Sequence, residues 1–440
     1  MKTMRELRSA PVDTEQYPAV TENSLLAAAY ARIIHGFILD CARVDGQRPI
    51  TILQLHAASG RFAYQLMTRL AGRLSPATGL AAACGFRYVM SSARPDDLER
   101  WRAHPWLAPL MAAEVVEFLR LDEPRSQDGV WPEAARFIAR DDAAPLVVIA
   151  NQGHGERTGT GAPSIHARSS AADADGSEVD PAPASTSPAW LGHMRALAED
   201  CLFLTAEPEP GAGAGESRAG RAHQALSAYT RQHGGVVLLG PQPTAHLSVA
   251  GFLFRATQIS SEHTVQAFAD AFDGFGPGDW LVLQPGLAAG LTSTEQLLAY
   301  IRLSEWDHRA LSRCLPQLLD RVSDGQISPT ERAAILHAIR MVWRSFFPET
   351  DGSRADADGE PDMAFAIGVL LFGLELCHEA IEFFEHSIRA CGPSAAVRYN
   401  QALCALQLDE RALALDFLSQ ALAHAPDFLA ARDLYRRLTG

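Results

Sequence analysis

The stretch "TILQLHAASGRFAYQL", Thr51 to Leu66, opens with a β-rich apolar run, passes through small residues and continues into a helical pattern. A corner of this kind cradles a nucleotide when glycines bare the backbone and leave N–H groups for the ligand. Strand–helix corners also use Ala, Ser and Gly simply to pack. Here the corner reads Gln54-Leu55-His56-Ala57-Ala58-Ser59-Gly60-Arg61, with His56 and Ala58 where such loops carry glycine and Gly60 the one that remains. What the corner does depends on its surroundings.

Working outward, short apolar runs alternate with helical patterns. Strands are expected at 50–55, 86–91, 115–121, 145–151, 235–240, 251–257 and 279–284, and helices at 23–44, 61–74, 95–102, 190–200, 221–233 and 262–273. That alternation predicts an α/β domain with a mostly parallel sheet covered on both faces. Such sheets bind ligands beyond the carboxyl ends of their strands. In this chain those ends are Leu55–Gly60, Met90–Ala93, Leu121–Glu123 and Ala150–His154.

From Asp362 the pattern is continuous helix, and a repeat emerges. Gly368, Ala380, Phe384, Ser387 and Gly392 recur 34 residues later as Ala402, Ala414, Leu418, Ala421 and Pro426. That is the period of the tetratricopeptide repeat, in which small residues let two antiparallel helices approach and a larger one fills the space beside them. Two repeats and a closing helix fall below the roughly three that a free-standing array needs, so the unit is expected to lean on the preceding residues. Three low-complexity stretches, 153–189, 207–222 and 349–361, carry too little apolar surface to offset ordering entropy and read as loops or tethers. The expected organisation is a helical cap over 1–48, the α/β domain over 49–300 interrupted at 153–189 and 207–222, a helical extension over 301–348, a linker over 349–361 and the repeat module over 362–440.

At 440 residues and 47% hydrophobic content the chain can bury more than one core. The formal charge of −14 gives no electrostatic footprint for nucleic acid or anionic lipid. Seven scattered cysteines without a C-x-x-C pair fit reduced thiols and argue against a disulfide framework or a zinc site. The first residues, "MKTMRELRSAPVDTEQ", lack the apolar core of a signal peptide, and the apolar run 363–374 is shorter than the ~20 residues of a membrane span. A cytoplasmic location, with no metal, no nucleic acid and no membrane as partner, is the expectation.

The corner, together with "FRYVMSSARPDDLERWRAHPWLAPLM", "VVEFLRLD" and "PLVVIAN", resembles class I S-adenosylmethionine-dependent methyltransferases over roughly residues 25–346. Followed by tetratricopeptide repeats, it is similar to a bacterial methyltransferase-like family. A more distant likeness is to protein-arginine methyltransferases that assist mitochondrial complex I assembly. The resemblance implies a Rossmann-like seven-stranded methyltransferase fold, with a cofactor site at Gln54, His56, Ala58, Gly60, Ser92, Asp122 and Asn151. Carried across residue by residue, it also exposes losses. The acidic residue ending the first strand is Gln54, the first two glycines are His56 and Ala58, and the ribose-gripping carboxylate is Ser92. Asp122 and Asn151 match, but Gln152-Gly153-His154-Gly155 departs from the pattern after the fourth strand. Exchanging that carboxylate for one hydroxyl costs about 2 kcal/mol or more of cofactor binding.

No other chemistry is legible. There is no G-x-S-x-G, no Walker motif and no H-E-x-x-H. His56 and His154 have no readable partner, Asp96-Asp97 and Asp141-Asp142 look like a helix start and a solvated turn, and "RLSEWDHRAL" (302–311) looks like packing. No catalytic residue is named. The expectation is a pseudoenzyme: a methyltransferase fold with an eroded cofactor site, binding another protein through 362–440 as scaffold, adaptor or assembly factor. The competing expectations are an active methyltransferase with a divergent loop, or a sensor that binds a related nucleotide.

Overall fold

The structure, a computed structural model, describes residues 22–45, 49–74, 85–121, 144–151, 187–208, 218–240, 247–256, 260–288, 290–325, 327–348 and 362–440. Asp122, Gln152–Gly155, most of the two insertions and the 349–361 linker lie outside these. The described residues divide into two compact units, one within 22–283 with 347–348, the other within 284–346 with 362–440.

The first unit is built on a seven-stranded mixed sheet in the order β3-β2-β1-β4-β5-β7-β6. Its strands are β1 (Ile50–Gln54), β2 (Phe86–Ser92), β3 (Val116–Arg120), β4 (Leu146–Ile149), β5 (Cys201–Pro208), β6 (Val236–Leu239) and β7 (Leu247–Phe254). The first five run parallel, while β7 is antiparallel to both β5 and β6. Strand order reverses between β1 and β4, where Gln54 stands beside Met90 on one side and Ile149 on the other. Their carboxyl ends therefore meet at one edge of the sheet.

Residue alternation decides which face each strand residue covers. Ile50, Ile52, Tyr88, Met90, Val147, Ile149, Leu202 and Leu204 pack with α1 (Ser24–Asp45), α2 (Arg61–Leu74) and α7 (Glu262–Phe272). Their sequence neighbours Leu53, Val89, Leu146, Val148, Cys201 and Phe203 pack on the other face with α5 (Pro188–Arg195) and α6 (Arg218–Gln232). Apolar residues on both faces give the continuous runs expected of a doubly covered sheet. Two short helices, α3 (Pro95–Ala103) and α4 (Ala108–Ala112), follow β2. Although α1 holds a stretch, Ser24–Ala42, long and apolar enough to cross a membrane, 72% of that stretch is buried within the protein.

Six of the expected strands appear, and one is corrected. "DWLVLQ" (279–284) is not a strand but the middle of α8 (Pro277–Ala288). Four successive apolar residues carry no periodicity, and the run buries Trp280, Leu281 and Gln284 at helical spacing while exposing Val282 and Leu283. The missing strand is β5, "CLFLTAEP", buried from Cys201 to Glu207 and lying between the two insertions.

The second unit is helical: α9 (Thr294–Leu303), α10 (His308–Ser323), α11 (Pro329–Ser345), then α12 (Met363–Gly373), α13 (Cys377–Cys391), α14 (Ala395–Gln407), α15 (Arg411–His424) and α16 (Leu429–Thr439). Ser328 and Glu331 form a capping box at the start of α11, with Pro329 in its first turn. Asp362 caps α12 by accepting from Phe365 N–H at 3.0 Å. The same carboxylate accepts from Ser387 Oγ at 2.5 Å, tying α12 to α13. Ala380, Phe384, Ser387, Ala402, Ala414, Leu418 and Ala421 are all buried. The 34-residue correspondence thus falls on the inner faces of two successive helix hairpins. Trp343 of α11 packs edge-on against Phe383 of α13 with ring centroids 4.9 Å apart, so the extension and the hairpins share one core.

Candidate functional site

The corner after β1 is held by its neighbours. Leu55 N–H donates to Ile149 O at 2.9 Å and Ala57 N–H to Ser91 O at 2.9 Å, pinning the loop to both adjoining strands. Between these bonds the backbone turns through the left-handed region three times, at His56 (φ 52°), Ala58 (φ 45°) and Gly60 (φ 86°). These are the three positions where the resemblance calls for glycine. The backbone has a left-handed shape that suits glycine although His56 and Ala58 carry side chains, at roughly 1–2 kcal/mol for each L-residue so placed. A Cβ at Gly60 would meet Met90 Cε at 3.0 Å and Trp101 Nε1 at 3.2 Å, so this glycine is also required by packing. Ser59 Oγ then accepts from Arg61 N–H at 3.2 Å, starting α2, and lies 3.2 Å from the Glu22 carboxylate.

That geometry gives a direct test. Ala58→Gly relieves the left-handed strain and gives back roughly 0.5–1 kcal/mol of it as unfolded-state entropy. A net gain of roughly 0.5–1 kcal/mol in urea denaturation is expected; a loss of stability would contradict a left-handed Ala58.

The remaining residues are drawn into internal bonds. Gln54 is buried, and its Oε1 accepts from Tyr88 O–H at 2.7 Å; burial holds that phenol well above its usual pKa. Ser91 Oγ donates to Gln54 O at 2.9 Å. Ser92, also buried, donates to Asp97 Oδ2 at 2.6 Å and accepts from Arg94 N–H at 3.1 Å. The other oxygen of Asp97 accepts from Arg100 at 2.6 Å, and the same guanidinium nitrogen donates to Ala58 O at 3.2 Å. Ser92, Asp97, Arg100 and Ala58 thus form one chain of polar contacts joining the β2 corner to the β1 loop. At β4, Asn151 Oδ1 accepts from the buried Tyr30 O–H at 3.0 Å, leaving its buried Nδ2 without a hydrogen-bond partner among the described residues.

The structure therefore brings Gln54, His56, Ala58, Gly60 and Ser92 together, with Asn151 beside them; Asp122 lies outside the described residues. Sequence reasoning missed Asp97 and Arg100. Asp97 reads as a helix start, and it does sit in the first turn of α3, where its carboxylate is buried against Ser92. The available signal was spacing: Asp97 and Arg100, three apart, share one helix face turned towards the corner.

Among the described residues, the groups that S-adenosylmethionine would use are already engaged in internal bonds. A ribose needs two acceptors, and the nearest carboxylate already has a serine and an arginine on its oxygens. The loop spends Ala57, Gly60 and Arg61 N–H on internal acceptors. Among the described residues no three His, Cys, Asp or Glu side chains gather as a metal-binding group.

On the opposite face, His223 of α6 contacts Thr205 Oγ1 at 2.8 Å through Nε2 and Ser248 Oγ at 3.1 Å through Nδ1. Burial pushes its pKa down to about 4, so it is neutral near pH 7 and ties α6 to β5 and β7 as donor and acceptor. No family model, curated protein or solved structure matches the chain.

Proposed function

We propose that this is a methyltransferase-fold protein whose S-adenosylmethionine corner is closed by its own side chains, and that it acts as a scaffold, adaptor or assembly factor by holding another protein through residues 362–440. The fold reading is supported by the reversal of strand order between β1 and β4, the crevice where Rossmann-like sheets take their ligands. Left-handed backbone at positions 56, 58 and 60 supports it further. The observation that carries the closure is the Arg100 bridge, which holds the Asp97 carboxylate and the Ala58 carbonyl in one grip. The buried 34-residue correspondence supports tetratricopeptide-type hairpins, whose use is protein association.

A second reading, an active methyltransferase with a divergent loop, is favoured by one feature: the buried Asn151 Nδ2 at the switch point. Isothermal titration of the full chain with S-adenosylmethionine and with S-adenosylhomocysteine separates the two. No measurable heat is expected with either; micromolar binding of one would replace the scaffold reading with the enzymatic one. Arg100→Ala is the informative companion. If the bridge is what closes the corner, this variant gains weak binding that the wild type lacks.

A further inference from the structure

The stretch "WRAHPW", Trp101 to Trp106, ends α3 on His104, whose backbone N–H closes the helix by donating to Trp101 O. The imidazole is buried and held at three places. It lies flat on Phe347, with ring centroids 3.9 Å apart and planes 8° apart. Its Nε2 donates to Pro348 O at 2.9 Å, and its Nδ1 accepts from Trp106 N–H at 3.2 Å. A carbonyl can only accept and a backbone N–H can only donate, so the two bonds together require the neutral ring with its proton on Nε2. Phe347, itself buried and part of the same unit, also meets Tyr64 of α2 with centroids 5.2 Å apart. It therefore touches both helices that flank the β1 corner. One is α2, which starts directly after the loop; the other is α3, whose Asp97 and Arg100 engage Ser92 and the Ala58 carbonyl.

We propose that His104 and Phe347 form an acid-sensitive clasp, which holds α3 over the closed corner and releases it when the imidazole takes up a proton. The inference rests on the closed corner proposed above and assigns what keeps it closed. A proton on Nδ1 sets N–H against the Trp106 N–H, and neither backbone partner can reverse its role. A cation over the Phe347 ring is tolerated, so the sensitivity lies in that facing pair of donors. Burial holds the His104 pKa below its ordinary value; the Pro348 carbonyl works the other way, and the Arg100 guanidinium on α3 adds to the fall. Across Phe347, Tyr64 of α2 is pushed up to about 12 and stays neutral. Trp106, Phe347–Pro348 and α4, "APLMA", bring no charge. A released imidazole regains an ordinary pKa of about 6.5. The closed clasp thus binds the proton less readily than the open one. Its stability is complete above about pH 6.5 and falls with pH until the lower pKa of the closed form is reached.

Hydrogen exchange on the full chain without ligand, corrected for the intrinsic rate at each pH, tests this. Between about pH 7 and about pH 5 the protection of α3, of Trp106 N–H and of the loop amides Ala57 and Gly60 should fall roughly tenfold, while that of β4 holds. His104→Gln keeps a donor for Pro348 O but does not titrate, and should remove this pH dependence. Phe347→Ala should lower protection of α3 and the loop about tenfold or more at either pH. If the alanine variant does not fold, Phe347→Leu decides, since it keeps apolar volume and loses the stack. Protection of α3 that does not change with pH, or changes equally in His104→Gln, overturns the proposal. So does a loop that stays protected when α3 loosens, or an α3 indifferent to the Phe347 variants that fold. Because no cofactor is present, the result stands apart from the titration with S-adenosylmethionine. A chain that binds the cofactor can still show the clasp, and one that binds nothing can still lack it.

Discussion

Replacing Asp40 with alanine is expected to destabilise the sheet-containing unit by about 3 kcal/mol or more, among the largest effects of any single side chain outside the apolar core. Asp40 is fully buried near the end of α1, yet its carboxylate serves α7, more than two hundred residues later. It accepts from Thr264 N–H at 2.9 Å, from Thr264 Oγ at 2.6 Å and from His263 N–H at 3.2 Å. The residue that should cap α7 locally, Ser261, makes no side-chain cap bond. Asp40 thus provides from another helix the acceptors that the first turn lacks, with its charge at the favourable end of the helix dipole.

Gly36, one turn earlier on α1, makes this reach feasible. A Cβ there would stand 2.5 Å from His263 O, so the two helices touch backbone to backbone. Removing the carboxylate strands the two buried donors of Thr264 and the part-buried N–H of His263, and each buried donor costs about 1–3 kcal/mol unless the helix end frays. Asp40→Asn keeps one acceptor oxygen and should lose roughly half as much. Urea unfolding followed by circular dichroism checks the order wild type, Asn, Ala. An alanine variant within about 1 kcal/mol of the wild type would mean that water already reaches the start of α7.

The Asp40 cap shows where reading the sequence stops. Composition and alternation delivered the α/β layout, the helical C-terminal stretch and the loop after β1, because those signals are local. Asp40, Asp97 and Arg100 each act on a distant segment, and nothing in a neighbouring residue announces that. The exchange of "DWLVLQ" for "CLFLTAEP" has a related cause: each holds four successive apolar residues, and only their burial tells a helix from an interior strand. At the candidate site, Gln54, His56, Ala58, Gly60 and Ser92 stand at one corner, and the internal bonds that engage it were not legible. The serine at position 92 was legible; its bond to a buried carboxylate five residues on, itself held by Arg100, was not.

In the helical unit, Gly368→Leu is expected to unfold the first hairpin locally, by more than about 3 kcal/mol. Glycine inside a helix costs about 1 kcal/mol relative to alanine, so its place in α12 needs a packing reason. The reason is Phe384: a Cβ at 368 would lie 2.5 Å from Cε1 and 2.7 Å from Cδ1 of that ring, which is fully buried. Even Gly368→Ala should cost about 1 kcal/mol net, since overpacking exceeds the gain in helix propensity. The second hairpin solves the same contact differently. At the positions 34 residues on stand Ala402 and Leu418, both fully buried, a larger residue facing a smaller one. Transplanting that solution gives the decisive experiment. Phe384→Leu alone leaves a void and Gly368→Ala alone forces a clash, whereas the two together should recover about 1–2 kcal/mol of the summed loss. Hydrogen exchange over residues 363–424 reads this directly, with β1 and β4 as an internal reference that none of the variants should alter. If the double variant is merely additive, position 368 is not governed by the ring of Phe384, and the two hairpins are not variations on one packing rule.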